Sequence, residues 1–379
     1  MNAMSADPFM RLALRLARRG YGRTSPNPMV GAVLVKGGKI ISRGWHRQAG
    51  GPHAEIEALR DARKRGHNPR GATLFVTLEP CCTHGRTPPC TKAIIAAGIK
   101  KIVIGATDPN PKHSGKAFKI LRRAGIKVFH GILADECAKL NEAFNHWIVH
   151  RRPFVTVKAA MTLDGKIATA SGESKWITGE KARVHAMKLR QGNDAILVGI
   201  NTILADDPSL TARRQMADGK WEIAKPIRRI VLDSMARTPL NAKVVGDEFA
   251  ALTTIVVSKT APKNRVAKLA KRSNVWVAPS RDAKIDLRWL LKKLGSENVT
   301  SLLVEGGGEV NASFLLGGFA QRVAFFYASK ILGGRDSHKA VAGDGVKNLS
   351  EVIRLREIEW KRIGPDLLMT ALVANGGKK

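Results

Sequence analysis

A histidine and a glutamate two residues apart, followed by two distant cysteines, constrain this chain more than any other feature. His53-Ala54-Glu55 is followed by Pro80-Cys81 and then by Cys90. One imidazole and two thiolates give Zn²⁺ a tetrahedral site with one position open for water. The ion lowers the pKa of that water from about 15.7 toward about 7, and a nearby carboxylate can carry its proton. The pattern therefore predicts a zinc site for hydrolytic chemistry.

The spacing of the cysteines leaves two interpretations open. The residue set is typical of zinc-dependent nucleobase deaminases, but eight residues separate Cys81 from Cys90, whereas the short form of the pattern has two. Cys81 and Cys82 could instead be ordinary buried thiols, because a free cysteine packs like a small apolar side chain. Three of the four cysteines fall within ten residues, directly after the strand-like residues 72–78. This joint spacing favours the metal site.

Four segments resemble the deaminase half of the bifunctional deaminase/reductase family of riboflavin biosynthesis. They are TSPNPMVG at 24–31, GPHAE at 51–55, LEPCCTHGRTPPC at 78–90 and DPNP at 108–111. The resemblance implies that His53, Cys81 and Cys90 are zinc ligands, that Glu55 is the catalytic proton shuttle, and that Cys82 is a bystander. The long GRTPPC loop distinguishes this family from deaminases that edit nucleic acids.

Apolar runs alternate with helical patterns along the first half of the chain. Strands are predicted at 30–35, 39–42, 72–78, 101–105 and 127–129, and helices at 54–64, 91–97, 117–124 and 134–144. Residues 10–19 are basic and amphipathic like a targeting peptide, but they run straight into TSPNPMVG and are interpreted as a first helix. The alternation predicts a three-layer α/β/α, cytidine-deaminase-like domain over residues 1–150.

A second domain is predicted over residues 151–379, because the composition shifts to βα units after Pro153 and 379 residues fit two domains. Residues 157–166, 172–178 and 202–213 resemble the reductase half of the same family. That resemblance implies an NADPH-dependent reductase with an α/β fold like that of dihydrofolate reductase. No complete Gly-x-Gly-x-x-Gly fingerprint follows a strand, so a Rossmann domain is disfavoured.

The reductase half also carries candidate binding residues. A predicted strand at 301–305 precedes Gly306-Gly307-Gly308 and a predicted helix at 310–316, a pattern that suits an anion but also occurs in tight turns. The resemblance implies NADP contacts at Ala160, Trp176, Thr202, Asp206, Ser234, Gly307, Gly308, Glu309, Val310, Asn311, Ala312 and Ser313. It implies substrate contacts at Ser174, Arg190, Leu210, Arg213 and Glu305. The two arginines suit a phosphate, although either could be solvated surface charge.

The formal net charge of +33 admits two interpretations. A broad positive field favours nucleic-acid binding, but aromatic side chains make up only 5% of the chain and do not alternate with the basic ones. A basic surface that attracts phosphorylated small molecules is the favoured interpretation. The chain has no run of about 18 apolar residues, so no membrane span is predicted. Only four cysteines occur, and three of them lie within the ten residues of the metal motif, so no disulfide framework is predicted and a reducing cytosol fits.

The sequence therefore predicts a cytoplasmic, two-domain enzyme. The first domain would deaminate 2,5-diamino-6-ribosylamino-4(3H)-pyrimidinone 5′-phosphate through zinc-bound hydroxide. The second would use NADPH to reduce the ribosyl side chain, giving 5-amino-6-(5-phospho-D-ribitylamino)uracil. The family implies a homo-oligomer, either a dimer or a tetramer. Two alternatives stay open: a nucleic-acid base deaminase with an accessory domain, and a non-catalytic binding protein built on a degenerate deaminase, against which the intact motif argues.

Overall fold

The chain divides between Arg151 and Arg152 in a computed structural model that describes residues 3–84, 88–216, 218–281 and 284–374. The two units are Met1–Arg151 and Arg152–Lys379. Gly85, Arg86 and Thr87 of the cysteine-rich motif lie outside the described residues. Across the described ranges, no helix has both the length and the apolar character that a membrane span needs.

The first unit is built on one five-stranded sheet. Its strands are Gly31–Lys36 (β1), Lys39–Trp45 (β2), Thr73–Leu78 (β3), Lys101–Ala106 (β4) and Lys127–His130 (β5). Its helices are Ala3–Ala17 (α1), Ala54–Lys64 (α2), Cys90–Ala96 (α3), Lys116–Arg123 (α4), Ala134–Leu140 (α5) and Glu142–His150 (α6). The strand order is β2-β1-β3-β4-β5, with β1 antiparallel to both neighbours and β3, β4 and β5 parallel.

Alternate residues of the central strands belong to two different apolar clusters, one on each face of the sheet. Leu74 and Val76 of β3 pack with side chains of α2, α3 and α4, whereas Phe75 between them packs with Met10 of α1 and Cys137 of α5. Successive strand side chains point to opposite faces, so helices must cover both. The three-layer α/β/α arrangement predicted for this part of the chain follows from this pattern.

The chain turns sharply between α5 and α6, where the sequence predicts one helix over 134–144. Asn141 separates the two helices with a non-helical backbone (φ −115°, ψ 25°). Its buried side chain accepts a hydrogen bond from the Met29 N–H and donates one to the Met29 carbonyl, both at 2.8 Å. The single-helix prediction is wrong because this contact, 112 residues away in sequence, replaces a helical turn.

Glycine 44 lets α2 lie directly against β2. A Cβ at Gly44 would stand 2.3 Å from the Ala58 nitrogen and 2.4 Å from the Ala54 oxygen, closer than any side chain can approach. Because His53 directly precedes α2 and Glu55 lies in its first turn, this contact fixes the helix that positions one of the three predicted zinc ligands and the predicted proton carrier.

Among its described residues, the second unit contains a nine-stranded sheet and three two-stranded sheets. Its strands are Phe154–Thr162 (β6), Lys166–Ala168 (β7), Ala195–Gly199 (β8), Ala212–Gln215 (β9), Trp221–Lys225 (β10), Arg228–Leu232 (β11), Thr253–Ser258 (β12), Asn274–Ala278 (β13), Ser280–Arg281 (β14), Lys284–Ile285 (β15), Ser301–Val304 (β16), Arg322–Ala328 (β17), His338–Lys339 (β18), Leu355–Ile363 (β19) and Asp366–Val373 (β20). Its helices are Glu180–Gln191 (α7), Ile200–Asp206 (α8), Lys243–Gly246 (α9), Lys263–Ala270 (α10), Leu287–Ser296 (α11) and Gly308–Leu316 (α12). The two-stranded sheets pair β9 with β10, β14 with β15, and β7 with β18.

The large sheet has the order β13-β12-β11-β8-β16-β6-β17-β20-β19. The first seven strands in this order, from β13 across to β17, are parallel to one another. Strand β20 is antiparallel to both of its neighbours, β17 and β19. Apolar side chains of the parallel strands fill clusters on both faces, which the helices cover. The carboxyl ends of four adjacent strands, β11, β8, β16 and β6, therefore meet at one edge of the sheet.

Candidate active sites

Three elements of the first unit bring the predicted metal ligands together. His53 is the residue before α2 and has an extended backbone (φ −72°, ψ 162°). Cys81 follows the end of β3, and Cys90 is the first residue of α3. The imidazole Nδ1 of His53 lies 3.5 Å from the Cys81 Sγ and 3.3 Å from the Cys90 Sγ.

These distances fit a zinc ion. The donor atoms of His53, Cys81 and Cys90 all lie within 4.8 Å of one another. A tetrahedral Zn²⁺ with Zn–N near 2.0–2.1 Å and Zn–S near 2.3 Å separates the nitrogen and sulfur by about 3.5 Å. The donor set of one nitrogen and two sulfurs leaves the fourth position for water or substrate. The geometry also identifies Nδ1 as the donor nitrogen, which the sequence alone does not show.

The protonation states of this group are strongly perturbed. A hydrogen bond from the Cys90 thiol lowers the pKa of Cys81 to about 4, and the hydrogen bond to Cys81 raises the pKa of His53. Burial, followed by the negative charge of Cys81, raises the pKa of Glu55 to about 7. Glu55 lies in the first turn of α2 and is 3% exposed. A carboxyl group poised near neutrality can both accept and release a proton, as a general acid and base must.

Cys82 faces away from the three donor atoms, as predicted for a residue beside a ligand. Its Sγ lies 3.6 Å from Nδ1 of His113, whose Nε2 is 3.4 Å from the Thr83 hydroxyl. Cys137, the fourth cysteine, is fully buried in the apolar cluster that includes α1. Each cysteine of the chain therefore has a distinct environment.

A buried histidine beside the donor group was not found from the sequence. His46 follows β2, is 1% exposed, and its ring centroid lies 5.4 Å from that of His53 in an edge-on arrangement. Its Nδ1 lies 2.9 Å from the Pro52 carbonyl, so Nδ1 donates and Nε2 accepts from the Asn27 amide at 3.2 Å. Burial lowers the pKa of His46, which agrees with this neutral tautomer. Both of its partners, Asn27 and Pro52, lie in segments that carry the family resemblance, whereas His46 itself lies outside them.

A buried carboxylate in the cysteine-rich motif has partners that the sequence does not predict. Glu79, between β3 and Cys81, accepts hydrogen bonds from the N–H groups of Asp108, Gly115 and Ala117 at 3.2, 2.9 and 3.0 Å. It is 3% exposed. These contacts attach residues 108–117, which include the DPNP segment, to the end of the strand that leads into the metal ligands. A single Glu in the sequence gives no signal of such partners.

In the second unit, most of the residues predicted for NADP lie at the carboxyl edge of four neighbouring parallel strands. Ala160 is near the end of β6, Thr202 and Asp206 are in the helix after β8, and Ser234 follows β11. The seven consecutive residues Gly307 to Ser313 follow β16 and open α12. Ligands of open α/β sheets bind at such an edge.

The three glycines after β16 have different reasons for being glycine. A Cβ at Gly306 would stand 2.5 Å from the Val310 Cβ, and one at Gly308 would stand 2.3 Å from the Lys339 carbonyl oxygen. A Cβ at Gly307 would meet nothing within 4 Å. Packing therefore explains two of the glycines, and Gly307 leaves open space at the N-terminus of α12, where N–H groups can receive an anion.

The other predicted NADP contacts differ in exposure. Trp176 is 65% exposed, so it is not a core residue, and the Arg183 guanidinium lies 4.7 Å from its ring centroid. Asp206 lies 3.6 Å from the Lys175 ammonium. Asn311 and Ala312 point into the unit, and the Asn311 amide donates to the Ala340 carbonyl at 2.8 Å. A contact from those two would come through backbone atoms.

Two of the predicted substrate residues form a buried ion pair with each other. Arg190, in the last turn of α7, donates from Nε and Nη2 to the two carboxylate oxygens of Glu305 at 2.9 and 2.8 Å. Its Nη1 donates to the Thr211 carbonyl at 3.1 Å. Lys158 lies 3.8 Å from the same carboxylate. Burial alone would raise the pKa of Glu305, but Arg190 and Lys158 lower it to about 2. Arg190 is therefore not solvated surface charge.

The remaining substrate candidates lie around β9. Arg213, in that strand, has a buried Nε without a hydrogen-bond partner among the described residues. Its carbonyl accepts from the Gln191 amide at 2.8 Å. Leu210 has a left-handed backbone (φ +48°) and a side chain buried in an apolar cluster, so only its backbone is available to a ligand. Ser174 lies half-buried in the loop between β7 and α7.

Comparison with known proteins places both units in known families. The family described as "RibD C-terminal domain" matches residues 153–369, and the "Cytidine and deoxycytidylate deaminase zinc-binding region" matches residues 4–106. The riboflavin biosynthesis protein RibD of Actinobacillus pleuropneumoniae is 42% identical over 368 residues, which cover 96% of this chain and 94% of that protein. The RibD protein of Aquifex aeolicus is 44% identical over 361 residues, covering 95% and 96%.

Solved structures give the same result. Form 1 of Acinetobacter baumannii RibD has a TM-score of 0.85 at 32% identity and covers 98% of this chain and 100% of that one. The diaminohydroxyphosphoribosylaminopyrimidine deaminase/5-amino-6-(5-phosphoribosylamino)uracil reductase of Thermotoga maritima has a TM-score of 0.83 at 36% identity, covering 99% and 100%. The predicted fold, a cytidine-deaminase-like domain followed by a reductase domain, is confirmed. The chain belongs to the RibD family of bifunctional deaminase/reductases of riboflavin biosynthesis.

Proposed function

We propose that this chain deaminates 2,5-diamino-6-ribosylamino-4(3H)-pyrimidinone 5′-phosphate and then reduces its ribosyl side chain with NADPH to give 5-amino-6-(5-phospho-D-ribitylamino)uracil. The observation that carries the proposal is the cluster of the His53 Nδ1 with the Cys81 and Cys90 sulfurs beside the buried carboxyl of Glu55. It lies in a chain whose relatives are RibD proteins over nearly their whole length.

In the first step, His53, Cys81 and Cys90 would hold Zn²⁺. The bound ion supplies Lewis acidity, which lets water lose a proton near neutral pH. Glu55 accepts a proton from the attacking water and passes it to the departing 2-amino group, which leaves as ammonia. The raised pKa of Glu55 suits both transfers, because a carboxyl with its ordinary pKa would release the accepted proton too readily.

In the second step, NADPH supplies the hydride. The carboxyl edge of β11, β8, β16 and β6 gathers the residues proposed to bind the nucleotide. The open space at Gly307 and the free N–H groups at the start of α12 suit a phosphate of the cofactor. Arg213, with its unpartnered buried Nε, is proposed to bind the substrate phosphate. Arg190 and Lys158 hold the carboxylate of Glu305 ionised and in place at the same edge.

Mass spectrometry of the products tests the whole reaction. Zinc-loaded protein is incubated with the diamino-pyrimidine phosphate, with and without NADPH. We expect loss of one amino group in both samples and gain of two hydrogens only in the sample with NADPH. A substrate that keeps its amino group while an RNA adenine or cytosine loses one would instead support the nucleic-acid base deaminase.

We also propose that the protein acts in the cytoplasm as a homo-oligomer, either a dimer or a tetramer. The free thiols of all four cysteines support a reducing compartment, and membership of the family supports self-association. Light scattering coupled to gel filtration measures the number of chains, and a monomer at micromolar concentration would contradict this part of the proposal.

A further inference from the structure

A cavity of about 370 Å³ lies where α1, β2 and α2 meet, and it includes none of the residues predicted for either reaction. Leu12 and Leu16 of α1 form part of its wall, and Trp45 of β2 forms another part. Its other lining residues are charged. Six are cationic and two are acidic, so the cavity carries four net positive charges.

The two carboxylates are already paired with three of the cations. Glu57 receives the Arg47 Nε at 3.0 Å and the Arg60 Nη1 at 3.4 Å. Asp61 receives the Arg65 Nε at 2.9 Å. These ion pairs join carboxylates of α2 to Arg60 of the same helix and to arginines that follow β2 and α2. They leave no carboxylate among the lining residues for the other cations.

Three lining cations thus remain without a carboxylate in the part of the chain that the structure describes: Arg19, Arg43 and Lys64. The Arg19 guanidinium lies 5.0 Å from the Trp45 ring centroid, a contact that does not neutralise its charge. Asp61 accepts from the backbone N–H of Arg43 at 2.9 Å, not from its side chain. Unneutralised cations in a concave site concentrate anions there.

The helix dipole gives an ordinary structural reason for two of these cations. Lys64 lies in the last turn of α2, where the helix dipole favours positive charge. Arg43 belongs to β2, and Arg19 to the turn Arg18–Gly20 after α1. Arg19 therefore also stands at the C-terminal end of a helix, whereas Arg43 has no helix C-terminus to explain its place. Three separate elements bring these charges together.

We propose that this cavity binds a linear oligophosphate, either free or as the polyphosphate group of a nucleotide. Guanidinium forks match phosphate oxygens, and three uncompensated cations match an anion with several charges. The volume is at the small end of the range of about 300–1,000 Å³ for small-molecule sites. A nucleic-acid backbone would instead need a long positively charged surface, since its phosphates are spread along the strand.

The cavity is separate from the candidate metal centre, although both use α2. Lys64 is nine residues after Glu55, which corresponds to about 14 Å along a helix rising 1.5 Å per residue. Glu57 lines the cavity, whereas Glu55 interacts with the metal ligands, because residues two apart point to nearly opposite sides of a helix. Anion binding here can therefore be measured without reference to either reaction.

Isothermal titration of the full-length, zinc-loaded protein with sodium tripolyphosphate, and separately with ATP, tests the proposal. We expect binding by the wild type and a loss of affinity of roughly 10-fold or more in Arg43→Ala and in Lys64→Ala. Arg63→Ala is the matched control, because Arg63 is exposed on the same helix, carries the same charge and does not line the cavity. Zinc content is measured before and after, since polyphosphates chelate metals.

Equal affinity for tripolyphosphate and ATP would identify the phosphate chain as the recognised group, and tighter binding of ATP would add a contact to the nucleoside. Both results support the proposal. It is overturned if the wild type binds neither anion, or if Arg63→Ala weakens binding as much as Lys64→Ala does. Binding of a short DNA duplex that is lost in the cavity variants, without any tripolyphosphate binding, would also overturn it in favour of nucleic acid.

Discussion

Two cysteines of the same motif, Cys82 and Cys90, are predicted to differ in metal binding because their sulfur atoms contact different residues. Cys90 Sγ lies 3.3 Å from the His53 Nδ1, whereas Cys82 Sγ contacts His113. Removing a thiolate that binds metal removes a ligand, but removing a bystander thiol does not. We therefore expect purified protein to hold about one Zn²⁺ per chain, Cys90→Ser to lose most of it, and Cys82→Ser to keep it. Elemental analysis by mass spectrometry measures this, and full occupancy in Cys90→Ser would redirect the assignment to Cys82.

Arg213 differs from Arg190 in that its guanidinium has a donor to spare. The Arg190 guanidinium is used by Glu305 and Thr211, whereas the Arg213 Nε is buried and has no partner among the described residues. A phosphate contact persists from the bound substrate to the transition state, so it acts mainly on KM. Arg213→Ala should raise KM for the phosphorylated substrate and lower kcat/KM roughly 10- to 150-fold.

The matched control for this prediction is Arg214→Ala. Arg214 is the next residue of β9, is exposed, and pairs with Glu222 at 3.4 Å. In steady-state kinetics of the reductase reaction, Arg214→Ala should have the same KM and kcat as the wild type. If Arg213→Ala abolishes NADPH binding and keeps the substrate KM, the substrate and cofactor ends of the site have been assigned the wrong way round.

At the scale of elements, the ion pair of Glu305 joins the end of β16 to α7 and β6. Its folded-state pKa of about 2 lies below the ordinary value of 4.5, so the ionised form stabilises the fold. That contribution is complete above pH 4.5 and is lost as the pH falls toward 2. Its size is on the order of 3 kcal/mol, since one pKa unit corresponds to about 1.4 kcal/mol.

We therefore expect the stability advantage of the wild type over Glu305→Gln to be large at pH 7 and to shrink between pH 4.5 and 2. Urea denaturation of the full chain at several pH values measures the free energy of unfolding. Glu297→Gln is the control, because Glu297 forms a more exposed pair with Arg228 at 2.8 Å. An advantage over Glu305→Gln that stays constant with pH would show that the carboxylate does not titrate in this way.

The elements that could be predicted from the sequence are those with strong local patterns. The helix Ala54–Lys64 was predicted with both ends correct, because its apolar residues recur at helical spacing between a polar start and Gly66. The hairpin at Gly37-Gly38 has both glycines at positive φ, as such a turn requires. The break at Asn141 could not be predicted, because its cause is a hydrogen-bonded contact with the distant Met29.

The same reasoning applies to the sites. His53, Glu55, Cys81 and Cys90 could be predicted as one site because the chemistry proposed for them depends on residue type and spacing, and the structure brings the three donor residues together. His46 and Glu79 could not, because a lone His or Glu shows no partner until the fold brings one. The basic cavity was also missed, since Arg19, Arg43 and Lys64 come from three elements in a chain with 64 basic residues.

At the scale of the whole molecule, the division into two units predicts that one reaction can be removed without the other. Glu55→Gln keeps the size of the side chain, leaves all three zinc donors and removes the proton carrier. Deamination should fall by roughly 10²- to 10⁴-fold, because that is the range for a positioned general acid or base. Zinc content should stay at the level of the wild type. Reduction of substrate that has already been deaminated should persist, since the residues proposed for the reductase reaction lie in Arg152–Lys379.

The measurement is the rate of ammonia release, compared with the rate of NADPH oxidation on the deaminated compound. Glu136→Gln is the matched control, because Glu136 is an exposed carboxylate in the same unit, on α5. It should leave both rates and the zinc content unchanged. Parallel loss of both activities in Glu55→Gln would mean that the units do not act independently. Loss of zinc in Glu55→Gln would mean that Glu55 takes part in holding the metal in addition to moving protons.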